Sequence, residues 1–247
     1  MTQTLAEIWR FPIKSHGWEP LSFADLTTGK ALPWDRVWAV AHEASKADGS
    51  AWAPCSQFSR GAKAPLLSAI SAKLDETTGS VTLSHPERAD LTFNPDTEGD
   101  QLIDWAGPFI PENRAQSSRV VRGQDFGFTD CNFQSITLGN TSSHRAVEQR
   151  IGHPLSIHRW RCNLWVDGMA PWEEFDWVGH QVQIGDAILE VVERTERCLA
   201  THNNPETGQR DDNILAALDT WGHRDFSVQT KVVKAGTIRQ GDKVQRL

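Results

Sequence analysis

The apolar positions fall in short alternating runs and seldom recur at helical spacing, so the chain reads as mainly β with a few peripheral helices. Residues 69–74 and 80–85 are strand-like runs on either side of Thr77-Thr78-Gly79. Residues 182–184 and 187–192 flank Gly185-Asp186, a pairing that suits a hairpin because glycine at the first connecting position accepts a positive φ. Gly241-Asp242, between Ile238 and Val244, repeats the device and predicts a second hairpin. Between Trp34 and Val40, alternation places Trp38 and Val40 on one strand face and Val37 and Ala39 on the other. One helix is expected from Ser142 or Ser143 as N-cap to Ile151, with Val147 and Ile151 on one face and Gly152 as the stop. A second is expected from Asp211 or Asp212 to Gly222, with Ile214, Leu218 and Trp221 on one stripe. Both are amphipathic, as helices packed outside a sheet or barrel would be. Residues 86–124 are polar and rich in Pro, Gly, Asp and Asn, which reads as a domain junction or long loop.

The length of 247 residues allows one large domain or two small ones. A formal net charge of −7 argues against a nucleic-acid partner, which needs a broad basic face, but leaves room for a local anion pocket. No apolar run approaches the roughly 18–20 residues that cross a bilayer. Met1–Arg10 lacks the basic-then-apolar pattern of a secretory signal, so a soluble cytoplasmic protein without membrane association is expected. The four cysteines, Cys55, Cys131, Cys162 and Cys198, include no C-x-x-C pair. Local spacing therefore specifies neither a zinc site nor an iron–sulfur cluster, and free thiols are expected.

Four segments could carry chemistry. In Phe11-Pro12-Ile13-Lys14-Ser15-His16-Gly17, an ammonium, a hydroxyl and backbone N–H groups beside a glycine could cradle an anion. An ordinary strand end with a solvated lysine is the commoner meaning of such a segment, since loop lysines are mostly exposed. Arg36, beside Asp35, is a surface ion pair or a phosphate ligand held by its neighbour. Alternation in Trp160–Gly168 places Arg161 and Asn163 on one strand face, and Cys162 and Leu164 on the other. Arg161 and Asn163 could bond a heterocycle edge and a charged tail, or simply face solvent. Cys198 follows Arg197, and nearby positive charge favours the thiolate that binds metals. A buried, inert thiol is the commoner fate of a free cysteine.

Together and in order, these segments resemble a known family. Phe11-Pro12-Ile13-Lys14-Ser15 resembles the Tyr-Pro-(Val/Ile)-Lys-Ser opening of MOSC proteins that carry a MOSC N-terminal region. Asp35-Arg36-Val37-Trp38 is similar to their Asp-Arg-x-Trp segment. Arg161–Val166 is similar to Arg-Pro-Asn-(Ile/Leu)-x-(Val/Ile), with Cys162 replacing proline. Arg197-Cys198 with Pro205-Glu206-Thr207-Gly208 resembles Arg-Cys…Asp-Pro-x-Thr-Gly, with Asn203-Asn204 in the usually Asp-bearing stretch. Gly236–Asp242 resembles the closing Gly-x-(Ile/Leu)-x-x-Gly-Asp segment. The family includes the mitochondrial amidoxime-reducing component, bacterial relatives that reduce N-hydroxylated compounds, and the C-terminal domain of molybdenum-cofactor sulfurase.

The resemblance implies a MOSC β-barrel over residues 116–247 and a smaller N-terminal β region over 1–115, whose first strand could join the main barrel. It implies a molybdenum cofactor (molybdenum–molybdopterin) between them. Carried over by position, Cys198 would ligate molybdenum and act in catalysis. Lys14, Ser15 and Arg36 would hold the pterin phosphate, and Arg161, Asn163 and Ser142 would contact the cofactor. A family-level association with pyridoxal phosphate binding comes with no residue assigned. The implied function is a molybdenum-dependent oxidoreductase reducing a small N-oxygenated substrate. The alternative is a cofactor carrier or sulfur-handling module without turnover. The chain ends at Leu247 without the cysteine cluster of a ferredoxin-type domain. Electrons would therefore come from a separate ferredoxin-like or cytochrome b5-like protein. His16, His202 and Asp130 are available as acids, without a reason to prefer one.

Overall fold

The computed structural model describes residues 2–247. It is mainly β. An eight-stranded mixed sheet has the spatial order 244–246, 181–184, 187–196, 225–234, 136–140, 164–167, 4–10, 19–21. In this order its first and seventh strands also meet: Leu5 N donates to Asp242 O (2.8 Å), Gly241 N to Leu5 O (2.8 Å) and Val244 N to Gln3 O (2.9 Å). These bonds close seven of the strands into a barrel, with strand 19–21 paired to 4–10 on one side only. The first strand therefore belongs to the main barrel. An extra residue in it, between Leu5 and Glu7, resets the alternation so that Leu5 and Ile8 both point inward, opposite Val166 and Leu164.

Strands 136–140 and 164–167 run parallel. The helix Thr141–Ile151 makes the return between them, as parallel pairing requires. Its N-cap is Asn140, whose side chain accepts from Ser142 N, so the expected cap at Ser142 or Ser143 lies inside the helix. Gly152 ends it in the left-handed region, as expected. The second expected helix is shorter, Ile214–Asp219, capped by Asn213. Val147, Ile214 and Leu218 join Trp160, Trp165 and Phe226 in a core outside the barrel wall.

The N-terminal region builds a second core around Ile13, Trp38, Val40, Leu67, Val81, Leu83 and Phe93. It contains the antiparallel pair 38–42 with 117–122 and the meander 71–75, 80–85, 88–93. Residues 86–124, expected to be a junction or loop, instead hold the strands Arg88–Phe93 and Ser117–Arg122 and the helix Gly99–Ala106. Arg88–Phe93 buries only Phe93 fully, so its alternation is too weak to read.

The Gly185 hairpin forms, pairing Gln181–Ile184 with Ala187–Glu190. Gly185 adopts φ 52°, and a Cβ there would meet Asp242 Oδ2 and lie 2.7 Å from Thr237 O. Gly185→Ala should cost about 2 kcal/mol or more in urea unfolding, because it combines backbone strain with this clash. A loss below a few tenths would contradict that packing. The second expected hairpin does not exist. Gly241 makes its turn, but strand 236–239 pairs with 23–26 and strand 244–246 pairs with 181–184.

Candidate functional site

A cavity of about 300 Å³ opens where one end of the barrel meets the N-terminal region. Its wall carries Lys14, Arg36, Arg60, Arg159, Arg161 and Arg197 against only Asp130 and Glu196. A chain of net charge −7 thus concentrates positive charge at one concave site.

Three of these wall residues hold unusual backbone. Ser15 (φ 64°), Arg36 (φ 54°) and Arg161 (φ 51°) are all left-handed without being glycine. Such positions cost roughly 1–3 kcal/mol each and gather where side-chain direction matters. Lys14 and Ser15 sit in a tight turn fixed by Lys14 N to Trp38 O (2.7 Å) and His16 N to Ile13 O (3.0 Å). Gly17 completes it at φ 91°, with Ala72 Cβ 2.6 Å from where its own Cβ would lie. Lys14 Nζ donates to Phe128 O (2.7 Å) and Asp130 Oδ1 (2.5 Å).

Arg36 is buried against Asp35, and its Nη2 donates to Arg161 O (3.1 Å). Burial opposes its charge, but Asp35 and Asp130 outweigh that and raise its pKa. The Arg161 guanidinium has no carboxylate partner among the described residues; its Nη2 donates to Gly17 O at 3.4 Å. Burial and the neighbouring Arg36 push its pKa down to about 9. Both guanidinium groups lie over the Phe11 ring, at 4.7 and 4.4 Å from its centre. Burial opposes ionisation of Asp130 as well, yet Lys14, Arg36 and Arg161 hold it well below the usual carboxylate range.

Arg161 and Asn163 precede the strand, which starts at Leu164, so they do not share a strand face. Arg161 instead caps the short 3-10 helix Ile157–Trp160. Cys162 and Leu164 also part company: Leu164 faces the barrel core and Cys162 the outer one. Asn163 is fully buried and does not line the cavity. Its Nδ2 donates to Asp35 Oδ1 (3.0 Å) and Trp9 O (3.1 Å), while its Oδ1 accepts from Thr137 N (3.2 Å) and Arg36 Nη1 (3.4 Å). Asn163 thus braces the Asp35–Arg36 pair from behind. Ser142 is also absent from the cavity wall. The strand 136–140 leads away from the cavity, with Thr137 at the wall and the helix start at its far end.

Cys198 lines the cavity and is the exposed thiol of the four. It follows the strand Ala187–Glu196 and caps the 3-10 helix Leu199–His202. Arg197, expected to favour its thiolate, turns inward instead: its Nη2 donates to Trp160 O (2.6 Å) and Cys162 Sγ (3.6 Å). Burial pushes the Cys162 thiol up despite Arg197. Cys55 also lines the cavity and accepts from Arg60 Nη1 (2.7 Å). Cys55, Arg60, His158, Arg159 and Asn203 were not read from the sequence as site residues. They come from distant segments, and no short motif joins them.

Of the acids considered, His16 is fully buried away from the cavity and His202 is outside its wall. Burial pushes His16 down to about 4, against the bond of Nδ1 to Lys14 O, and Arg161 adds to the shift. Its Nε2 has no partner among the described residues. His158, which does line the cavity and stacks on Trp18 at 3.7 Å, is pushed to about 4 by burial and Arg161. For a histidine lowered from 6.5 to about 4, the unfolded chain binds more protons between those values. Its stability contribution is complete above pH 6.5 and is lost as pH falls toward 4. His16→Gln should therefore lose about 3 kcal/mol less than wild type between pH 7 and pH 4 in denaturant unfolding. Equal losses in the two proteins would overturn the neutral buried assignment.

Family models match nearly the whole chain: the MOSC N-terminal beta barrel domain over residues 2–106 and the MOSC domain over 124–245. Among solved structures, the YuaD protein from Bacillus subtilis aligns with a TM-score of 0.50 and 14% identity, covering 100% of this chain and 96% of that one. At that identity the likeness concerns fold alone. YiiM from Geobacillus stearothermophilus aligns with a TM-score of 0.36 and 19% identity over 45% of this chain and 53% of that one. No curated protein matches the sequence significantly.

Proposed function

Because the chain belongs to the MOSC domain proteins, a family linked to molybdenum-cofactor binding, we propose that it carries a molybdenum–pterin cofactor in this cavity and uses it to reduce N-oxygenated compounds. The observation that carries the reading is the convergence of Lys14, Ser15, Arg36 and Arg161 with the exposed Cys198 thiol around one cavity. The donor set suits such a group. Among the described residues, no cluster of three or more His, Cys, Asp or Glu side chains could hold a metal. A metal bound by Cys198 must bring its other donors with it, as a dithiolene-bound molybdenum does, and a soft thiolate matches soft sulfur co-ligands.

In this reading Lys14, Ser15, Arg36 and Arg161 hold the phosphate end. Arg161 is the natural site for the anion, since burial and Arg36 disfavour its charge and it lacks a direct carboxylate partner. Asp35 and Asn163 keep Arg36 aimed at the cavity. The Cys198 thiolate ligates the metal. The cofactor supplies the two-electron chemistry. Overall, the N–O bond breaks, two electrons and two protons enter, and the N–H compound and water leave. In the free protein the cationic wall lowers the pKa of Asp130, and burial with Arg161 lowers that of His158, so neither is singled out as the proton donor. Among the described residues no helix is long and apolar enough to cross a membrane, and the electron donor is taken to be a separate protein.

The second reading is a carrier or sulfur-handling module. It is favoured by Cys55, a second thiol on the cavity wall held by Arg60. Turnover separates the two. Cofactor-loaded protein, given dithionite and a viologen dye, should reduce a hydroxylamine or amidoxime. Fully loaded protein without turnover would replace the reductase with the carrier.

A further inference from the structure

Cys198 lies between the end of a long strand and a four-residue 3-10 helix, Leu199–His202. So short a helix does not hold its own place. Locally the segment has Thr201 N and Oγ1 on Cys198 O (3.1 and 3.0 Å) and Asn203 N on Ala200 O (3.2 Å). Its link to the opposite wall is the side chain of Asn203. That residue is fully buried, and its Nδ2 donates to Gly61 O (2.9 Å) and Ser68 Oγ (2.9 Å), both in the N-terminal region. The contact is close: a Cβ on Gly61 would lie 2.8 Å from Ser68 Oγ and 3.3 Å from Asn203 Nδ2.

The loop that follows supports this link. Asn204 N donates to Gln209 O and Gly208 N to Asn204 O, both at 2.7 Å. Gly208 takes φ 70°, and a Cβ there would lie 2.6 Å from Leu66 Cα. Arg210 Nη2 reaches Ala62 O at 2.7 Å. The first two bonds shape the loop itself, and the contacts of Asn203, Gly208 and Arg210 all fall on residues 61–68. None of the hydrogen bonds of the Asn203 side chain reaches Cys198.

We propose that Asn203 is a positioning residue: through Gly61 and Ser68 it registers the Cys198 segment against the N-terminal wall and so sets where the thiol stands in the cavity. The 61–68 segment acts as the template, and both proton donations from one buried amide fix the distance between the walls. A buried amide that loses its acceptors, or a carboxylate placed against a carbonyl, releases the segment. The claim concerns the thiol itself, and only its consequence for molybdenum rests on the proposed function.

The test uses the second cavity thiol. In the full chain without added cofactor, Cys198 is cross-linked to Cys55 with dithiol reagents of graded span. Peptide mapping measures the rate at each span, and Cys131 alkylation and the urea midpoint serve as controls. Wild type should favour one span. Asn203→Asp should flatten the preference and lower the rate at the favoured span by roughly tenfold, the scale expected when one or two buried hydrogen bonds are lost. The Cys131 rate should not change. Ser68→Ala, which removes one of the two acceptors, should give a smaller change in the same direction. If Asn203→Asp does not fold, Ser68→Ala decides. Unchanged span preference and rate in a folded Asn203→Asp, or in Ser68→Ala where Asn203→Asp does not fold, would overturn the proposal whether or not the protein binds molybdenum.

Discussion

Cys198→Ser should abolish molybdenum-dependent turnover, lowering kcat by about two orders of magnitude or more, while leaving the unfolding free energy within about 0.5 kcal/mol of wild type. The two halves of this expectation have different causes. Cys198 is exposed and belongs to no apolar core, so its sulfur contributes little to folding. The hydroxyl that replaces it is hard and protonated at neutral pH, and it cannot replace a thiolate among sulfur ligands. Cys162→Ser provides the contrast. That thiol is buried beside Trp160 and Phe226, so its loss should reduce stability and leave metal content unchanged. Metal analysis and denaturant unfolding of the two variants measure both effects. A Cys198→Ser protein that keeps metal and activity would remove the ligand assignment.

The second large effect separates two neighbouring arginines. Arg36→Leu strands Asp35, which is fully buried and would keep only Phe11 N (2.9 Å) and Asn163 Nδ2 (3.0 Å) as donors. Leaving a buried charge without its partner costs about 3–5 kcal/mol. Arg161→Gln should act in the opposite direction on the cofactor-free protein. It removes a cation that burial and Arg36 already disfavour, and should stabilise that form by about 1 kcal/mol after discounting for its partial exposure. The same variant should bind the cofactor more weakly, because the phosphate loses a guanidinium that is in no salt bridge among the described residues. Urea unfolding of both variants, with and without cofactor, tests this. Destabilisation of the cofactor-free protein by Arg161→Gln would show that its charge serves the fold rather than an anion.

Whether a feature was legible in the sequence depended on how local its cause was. The Gly185 hairpin was readable because a turn residue and two short alternating runs specify it within a dozen positions. Gly241 has the same turn chemistry, but its flanking strands pair with residues 23–26 and 181–184, and nothing at the turn encodes that choice. Residues 88–93 were lost among loops because their meander faces solvent on most positions. Lys14, Ser15, Arg36, Arg161 and Cys198 were visible as short motifs and do meet at one cavity. Arg161 arrives there by a left-handed turn rather than by strand alternation. Ser142 matched a real helix start, but that start lies at the far end of its strand. Asn203 was hidden because its meaning lies in contacts 142 and 135 residues away.

The most direct test of the account is the molybdenum and pterin content of the purified full chain. The protein is produced in a molybdate-replete host that makes the cofactor, beside a Lys14→Ala/Arg161→Gln variant. Wild type should carry molybdenum and pterin in equal amounts, approaching one of each per chain, and the variant should lose both together. Wild-type protein without molybdenum and without pterin fluorescence, or a variant that retains both at the wild-type level, would contradict the claim that this cavity holds the cofactor.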